Sequence, residues 1–427
     1  MESSNQENFF ETDTQQAKRH LRAKKEANTF GNPLRMPSKI LAVIPDPKKP
    51  QSSVLIAESG GRVSRINTEG KGGGHEPPPP STPAPSVPVT CLATGGASNG
   101  VLFAGSWDKT VWSWDLATRR PLRRYDGHSD FVKAVVCGRL GDKPILVSGG
   151  ADKKIIVWDA DSGRKLHTLQ DPTTTMMSLQ HLAIDPVLST ADEIVLVSAS
   201  SDPHIRRWRI TLDSYSQLPV DETPSSADPA AAAAASSSGE EKLTIQEHET
   251  SVYKVLFDVM GDEVDLWTAS ADGTAKCLVR ERAFAAEDVF EHGDFVRAIA
   301  LTADWVVTGG ISQQIKVWDR TSGALRAVVD AHFDEITDLV VLRDPAGRSP
   351  DVLCSVGIDC TLRTWPLDHK GLDAVVEEIR AAAEAKAEDE QEGEKKKKGE
   401  GKKEEEEEGL MTAEEEAELA ALMEDDD

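Results

Sequence analysis

Aromatic residues are scarce in this 427-residue chain: they make up 5 %, and only three of them are tyrosine. The positions of its nine tryptophans therefore carry information. Cysteine is scarce too. The five thiols (Cys91, Cys137, Cys277, Cys354, Cys360) are odd in number and show no CxxC spacing, which argues against a disulfide framework and a structural zinc site. Buried free thiols and a reducing compartment are the expectation. No apolar run reaches the ~18 residues of a membrane-spanning helix, and the polar, acidic first residues predict no export leader. Positive charge is in deficit: the net charge is −25. General binding to a phosphate backbone needs the opposite balance. Neither a Walker-type glycine loop nor an HExxH pair is present, so neither nucleotide nor zinc-hydrolase chemistry is indicated. No cofactor and no metal are expected, and no enzymatic activity.

The most informative stretch is ILVSGGADKKIIVWD, residues 145–159. Two runs rich in β-branched residues flank a Gly-Gly-Ala-Asp turn, the pattern of a β-hairpin. His128 lies upstream, and FVKAVV follows it as a further strand. With Asp152 and Trp158 as a ruler, the same spacing recurs at Asp108/Trp114, Asp202/Trp208, Asp272/Leu278, Ser312/Trp318 and Asp359/Trp365, and weakly at Gly60/Ile66. A small hydroxyl residue stands four positions before most of these turns: Ser148, Ser198, Thr268, Thr308 and Ser355, with Ala104 the exception. Histidines 128, 248, 292 and 332 precede four of the units. Seven units with a period of roughly 40 residues match one four-stranded blade each.

These residues resemble the WD-repeat family. The resemblance implies an all-β, seven-bladed β-propeller in which His, Ser, Asp and Trp form a buried hydrogen-bond chain inside a blade. Only two units keep all four: His128/Ser148/Asp152/Trp158 and His332/Ser355/Asp359/Trp365. The same side chains could suggest a hydrolase triad. Their recurrence blade after blade argues for structure, since catalysis needs a nucleophile once.

Three parts follow from composition. Residues 1–27 are an N-terminal extension. Its basic segment (Lys18, Arg19, Arg22, Lys24, Lys25) forms a short helix that is a solvated face, a nuclear import signal or a contact for an acidic partner. Residues 28–367 form the propeller, interrupted by loops 67–88 and 212–241, which are Gly/Pro-rich and Ser/Ala/Pro-rich and expected to be disordered. Residues 242–245 then return as the outer strand of the fourth blade. Residues near 28–36 should supply the outer strand of the seventh blade, closing the ring and protecting its edges. Residues 368–427 form an acidic tail, mostly disordered and partly helical. It begins with an apolar face of Leu372, Val375, Val376 and Ile379. It ends in a capped amphipathic segment at 410–423, a recognition peptide or an incidental helix.

Two units share a variant, His-Ser-Asp-Phe-Val-Lys at 128–133 and His-Gly-Asp-Phe-Val-Arg at 292–297. In the WD-repeat family the residues after this histidine lie on the narrower top face around a central channel. Asp130, Phe131, Lys133, Asp294, Phe295 and Arg297 are therefore candidates for partner binding, with Trp107 and Trp305 as additions to that face. The cluster Arg206, Arg207 and Arg209 is a basic patch on the fourth blade. The resemblance implies a non-enzymatic scaffold for protein–protein interaction, a monomeric propeller in a larger intracellular complex in nucleus or cytoplasm, with chromatin or ribosome assembly as settings. Its acidic tail would suit basic proteins. A cullin-type ubiquitin-ligase substrate receptor is the alternative, although Ala117, Asp161 and Thr321 stand where such receptors carry an arginine after Trp-Asp. An RNA-associated assembly factor is another.

Overall fold

The computed structural model describes residues 19, 22–23, 25–69, 75–76, 85–96, 99–171, 175–220, 242–259 and 264–385. They divide into a unit that ends at Asp373 and a second that begins at Ala374. The first is a seven-bladed propeller. Its inner strands are Ile40–Pro45, Val89–Gly95, Val132–Leu140, Leu179–Ile184, Val252–Phe257, Val296–Leu301 and Ile336–Leu342. Each touches the next, and the last touches the first, so the ring is closed. Every blade is antiparallel and steps outward from its inner strand.

The second strand of each blade is packed on both sides by neighbouring blades. Ser53–Glu58 and Ile194–Ser200 are consequently buried at every position, and their sequences (SVLIAE, IVLVSAS) are near-continuous apolar runs rather than alternating ones. The inner strands differ. In all seven, pairing with the second strand slips by one residue near the start, a β-bulge. A bulge bends the strand and re-aims a side chain. Its consequences appear below.

Closure follows the sequence expectation. Leu34–Arg35 pairs with Thr361–Pro366 as the outer strand of the seventh blade, in register Leu34 to Leu362. The strand is two residues long because Pro33 and Pro37 bracket it. Arg363 adds an anchor: its guanidinium donates to Asn28 Oδ1 and to the Phe30 carbonyl, both at 2.6 Å. Gly31 lies at φ +69° against Trp365, whose ring atoms would stand 2.6 Å from any Cβ there. In the extension, Lys25 Nζ meets Asp330 Oδ1 at 2.5 Å and Arg22 meets Asp334 at 3.3 Å. These two cations are thus engaged by the seventh blade's neighbourhood rather than by solvent alone. Lys18 and Lys24 lie outside the described residues.

Both loops need correction. Within 67–88, His75–Glu76 is the outer strand of the first blade, pairing with Arg65 and Ile66. Within 212–241, Tyr215–Gln217 pairs with the third strand of the fourth blade, and Leu218 and Val220 are buried. Thr244–Ile245 pairs with that same strand further along. The outer edge of the fourth blade is therefore built by two short pieces, not by residues 242–245 alone. Composition misled because β-pairing uses the backbone, which Ser- and Pro-rich segments still offer. Residues 221–241 lie outside the described part.

A helix runs from residue 369 to 385. Its first turn belongs to the propeller unit, where Leu372 is buried and Arg326 pairs with Asp373. In the second unit the described residues, 374–385, are helical, with Arg380 Nε 3.0 Å from Glu384 Oε1. The amphipathic segment at 410–423 lies outside the described residues. No described helix is long and apolar enough to cross a membrane.

Candidate functional site: the top face of the ring

The top face is the one where inner strands begin and where second strands turn into third strands. The buried polar groups lie just beneath it. In the third blade, the Trp158 indole N–H donates to Ser148 Oγ (2.8 Å), Ser148 contacts His128 Nε2 (2.8 Å), and His128 Nδ1 lies 2.9 Å from Asp152. The carboxylate fixes the proton on Nδ1, so Nε2 accepts from the hydroxyl. The seventh blade repeats this with Trp365, Ser355, His332 and Asp359 at 2.9, 2.8 and 2.8 Å. These eight residues pin strands together.

The incomplete units improvise. In the fifth blade, His248 bridges Asp272 and Thr268, both at 2.7 Å, with Leu278 in place of tryptophan. In the second blade Trp112 donates to Asp108 at 2.8 Å, and in the fourth Arg206 reaches both Asp202 and Asp171. Trp112 and Arg206 each stand four residues after the turn carboxylate and fill the place a histidine would take. Arg206 and Arg207 are thus buried, not members of a surface patch; Arg207 donates to the Pro219 carbonyl at 2.9 Å and its guanidinium lies over Phe284. In the sixth blade His292 sits between two hydroxyls, Thr308 (2.9 Å) and Ser312 (2.7 Å).

That last substitution gives a pH prediction. Burial, with Lys316 nearby, pushes His292 from 6.5 down to about 4. The folded state therefore prefers the neutral ring. The contribution is complete above the unfolded value of ~6.5 and is lost as pH falls towards about 4. Ser312→Asp supplies the missing carboxylate and favours imidazolium. The stability lost between pH 7 and 4.5, measured by urea denaturation, should be smaller in that variant than in the natural chain.

Of the candidates for partner binding, the structure brings Trp107 and Phe131 together: their rings stack 4.7 Å apart at 11°. They are 43 % and 36 % exposed, and Phe295, on the far side of the channel, is 46 % exposed. Phe131 and Phe295 occupy equivalent positions, each with a carbonyl that receives the N–H of the neighbouring turn residue, Ala151 or Ile311. Asp130 and Asp294 each accept the N–H of the following phenylalanine at 2.8 Å, which holds that residue's backbone on the rim. Trp305 does not join this face. It begins a second strand, at the opposite end of the blade, where it is 2 % exposed and donates to the Leu367 carbonyl at 2.8 Å.

Lys133 and Arg297 are both bulge residues. The others at that position are Leu41, Thr90, Gln180, Tyr253 and Thr337, so each of the seven bulges places one residue near the start of its inner strand, on the top face. Arg297 Nε pairs with Glu335 at 2.9 Å and its guanidinium lies 4.7 Å from the Tyr253 ring centroid. Lys133 donates to Gln180 Oε1 at 3.3 Å. Burial, then repulsion from Arg297, lowers its pKa, while Asp130 opposes the shift. Sequence reasoning missed the other ring members. A signal was present: Lys133, Tyr253, Arg297 and Thr337 each stand five residues after a histidine.

Among the described residues no cluster of His, Cys, Asp or Glu is placed to hold a metal ion. The five cysteines are unpaired, and burial pushes the Cys91, Cys277 and Cys354 thiols up to about 12.

Residues 80–115 and 119–159 match the family described as WD domain, G-beta repeat. The chain carries WD repeats on a seven-bladed propeller. An uncharacterised WD repeat-containing protein of Schizosaccharomyces pombe is 27 % identical over 386 residues, 86 % of this chain and 91 % of that protein. The small ribosomal subunit protein RACK1 of Drosophila melanogaster is 33 % identical over 83 residues, 19 % of this chain and 26 % of its own length. The nuclear distribution protein PAC1 of Arthroderma otae is 25 % identical over 295 residues, 65 % and 49 %. Among solved structures, the WD40 β-propeller domain of Doa1 superposes with a TM-score of 0.57 at 17 % identity, covering 80 % of this chain and 97 % of that one. WD-repeat propellers generally serve as non-enzymatic scaffolds for protein–protein interaction.

Proposed function

We propose that this WD-repeat propeller docks a protein partner on its top face, within a larger intracellular complex. The observation that carries the reading is the exposed Trp107–Phe131 stack, with Phe295 across the channel. Large aromatics held rigidly at a surface supply most of the energy in protein interfaces. Five unpaired thiols suit a reducing compartment, nucleus or cytoplasm. Chromatin or ribosome assembly is a fitting setting for the acidic residues at 377–427, which suit basic partners.

The test compares affinity purification with mass spectrometry for the intact chain and for Phe131→Ala/Phe295→Ala, each expressed in cells. Both phenylalanines are exposed, so the melting temperature should stay within a degree or two, about the effect of surface substitutions of under 0.5 kcal/mol. A set of partners should be lost from the variant. Recovery of the same partners by both chains would remove the top face from consideration. A chain lacking residues 377–427, run alongside, reads the tail's contribution separately.

A further inference from the structure

The channel mouth holds an unusual electrostatic arrangement. Lys133 and Arg297 belong to blades three and six, on opposite sides of a seven-membered ring, and still lie within each other's electrostatic field. Arg297 has a counter-ion in Glu335. Lys133 does not: among the described residues no carboxylate forms an ion pair with it, and its donor goes to the neutral Gln180. Half-burying a cation beside a like charge, with Asp130 attracting it only from beyond ion-pair contact, is unfavourable for the free protein. Evolution could have placed a neutral residue there, as it did at Thr90, Gln180 and Thr337. A cation kept at such a position is poised for an anion that arrives from outside.

The surroundings define that anion. Apolar rings flank the mouth on both sides: the Trp107–Phe131 stack next to Lys133, and Phe295 next to Arg297. Asp130, Asp294 and Glu335 ring the same mouth, two of them holding backbone N–H groups and one holding Arg297. Three carboxylates at the rim repel a dianionic phosphate and a nucleic-acid backbone more than a single carboxylate. One cation without a contact ion pair offers a place for one negative charge.

We infer that the top-face partner inserts a single Asp or Glu side chain into the channel mouth to pair with Lys133, while apolar residues on either side of that acid cover Trp107–Phe131 and Phe295. Tyr253 stays stacked on Arg297 and closes the pocket wall. The inference rests on the top-face reading and specifies its chemistry.

The experiment uses the full chain and three pools of fluorescent dodecapeptides. Each pool has Leu, Met and Phe randomised on both sides of a fixed central residue: Glu, Gln or phosphoserine. On the natural chain the Glu pool should bind on the order of tenfold more tightly than the Gln pool, and more tightly than the phosphoserine pool. Lys133→Met keeps the side chain's length and removes its charge. It should abolish the preference for Glu over Gln while leaving the melting temperature unchanged or raised, because an unpaired, desolvated cation is lost; a purely structural lysine would lower it. Equal binding of the Glu and Gln pools, absence of Glu-pool binding at millimolar peptide, a phosphoserine preference, or a Glu preference that survives Lys133→Met would each overturn the inference. Cell partners separate this failure from that of the docking face. Partners lost from Phe131→Ala/Phe295→Ala but retained by Lys133→Met would leave the face standing and the acid-recognition reading refuted.

Discussion

Replacing Asp359 with alanine is expected to cost about 3–5 kcal/mol of stability, the combined effect of several buried donors left unpaired at ~1–3 kcal/mol each. The carboxylate receives His332 Nδ1 at 2.8 Å, the Phe333 N–H at 3.3 Å, and the N–H and hydroxyl of Thr361 at 2.9 and 2.8 Å. Alanine would take this acceptor from all four donors in a site closed to water, leaving only the 3.3 Å contact between Thr361 Oγ1 and His332 Nδ1. The natural chain supplies its own control. In the sixth blade a serine stands at this position and its histidine remains satisfied. Asp359→Ser should therefore cost clearly less than Asp359→Ala. The pH dependence has a definite sign. Hydrogen bonds from His332 and Thr361, and the charge of His332, outweigh burial and hold the Asp359 pKa below 3.8. Its contribution is complete above the unfolded carboxylate value of ~3.9 and disappears as pH falls through the lower folded value. Urea denaturation at pH 7 measures the cost. The gap between natural chain and variant should narrow only in strong acid; a gap that closes by pH 6 would contradict this account.

Deleting residues 1–36 should cost at least as much, about 3–5 kcal/mol from the two charge-assisted hydrogen bonds that Arg363 loses, at ~1.5–3 kcal/mol each. Four ties go at once: the Leu34–Arg35 pairing, the Met36 N–H to Cys360 carbonyl bond (2.8 Å), the Thr364 N–H to Gly31 carbonyl bond (2.8 Å), and both acceptors of the Arg363 guanidinium. Arg363 is almost fully buried, and burial already lowers its pKa to about 10. Without Asn28 and Phe30 its charge loses both of those acceptors. The edge of Thr361–Pro366 would also be bared, which invites pairing between molecules. Arg363→Met in the deleted chain should recover part of the loss, whereas the same change in the full chain should destabilise. That reversal of sign in a double-mutant cycle, with size-exclusion chromatography to follow association, isolates the anchor from the strand. Destabilisation by Arg363→Met in both backgrounds would show that the arginine acts through packing alone.

The fold was legible because it repeats. One hairpin pattern with a turn residue and a strand end six apart, found seven times and as Asp and Trp in four of them, carries the blade count, and the two complete sets around Asp152 and Asp359 form the hydrogen-bond chains expected of them. What the pattern missed lies where a blade departs from its own rule. Arg206 looked like surface charge because arginine usually is, yet Asp202 and Asp171 together compensate it inside the fourth blade. His75–Glu76 and Tyr215–Gln217 form short outer strands in segments whose composition reads as loop, since an outer strand needs only a backbone ladder on one side. Trp305 and Trp107 are the same residue type, yet one is core and the other surface. The difference is which end of the second strand each occupies.

The sequence alone therefore determined the architecture: the number of blades, the buried His and Ser/Thr positions that recur in it, and closure by residues 28–36. These follow from local periodicity and from the need of every buried polar group for a partner, both written along the chain. The tertiary structure alone decided the channel mouth. Lys133 and Arg297 are 164 residues apart in the numbering and share a field only because seven inner strands bend at the same bulge and place one residue each on the top face of a closed ring. Circular closure sets that proximity, and a one-dimensional pattern does not encode which of its units will face each other across the ring.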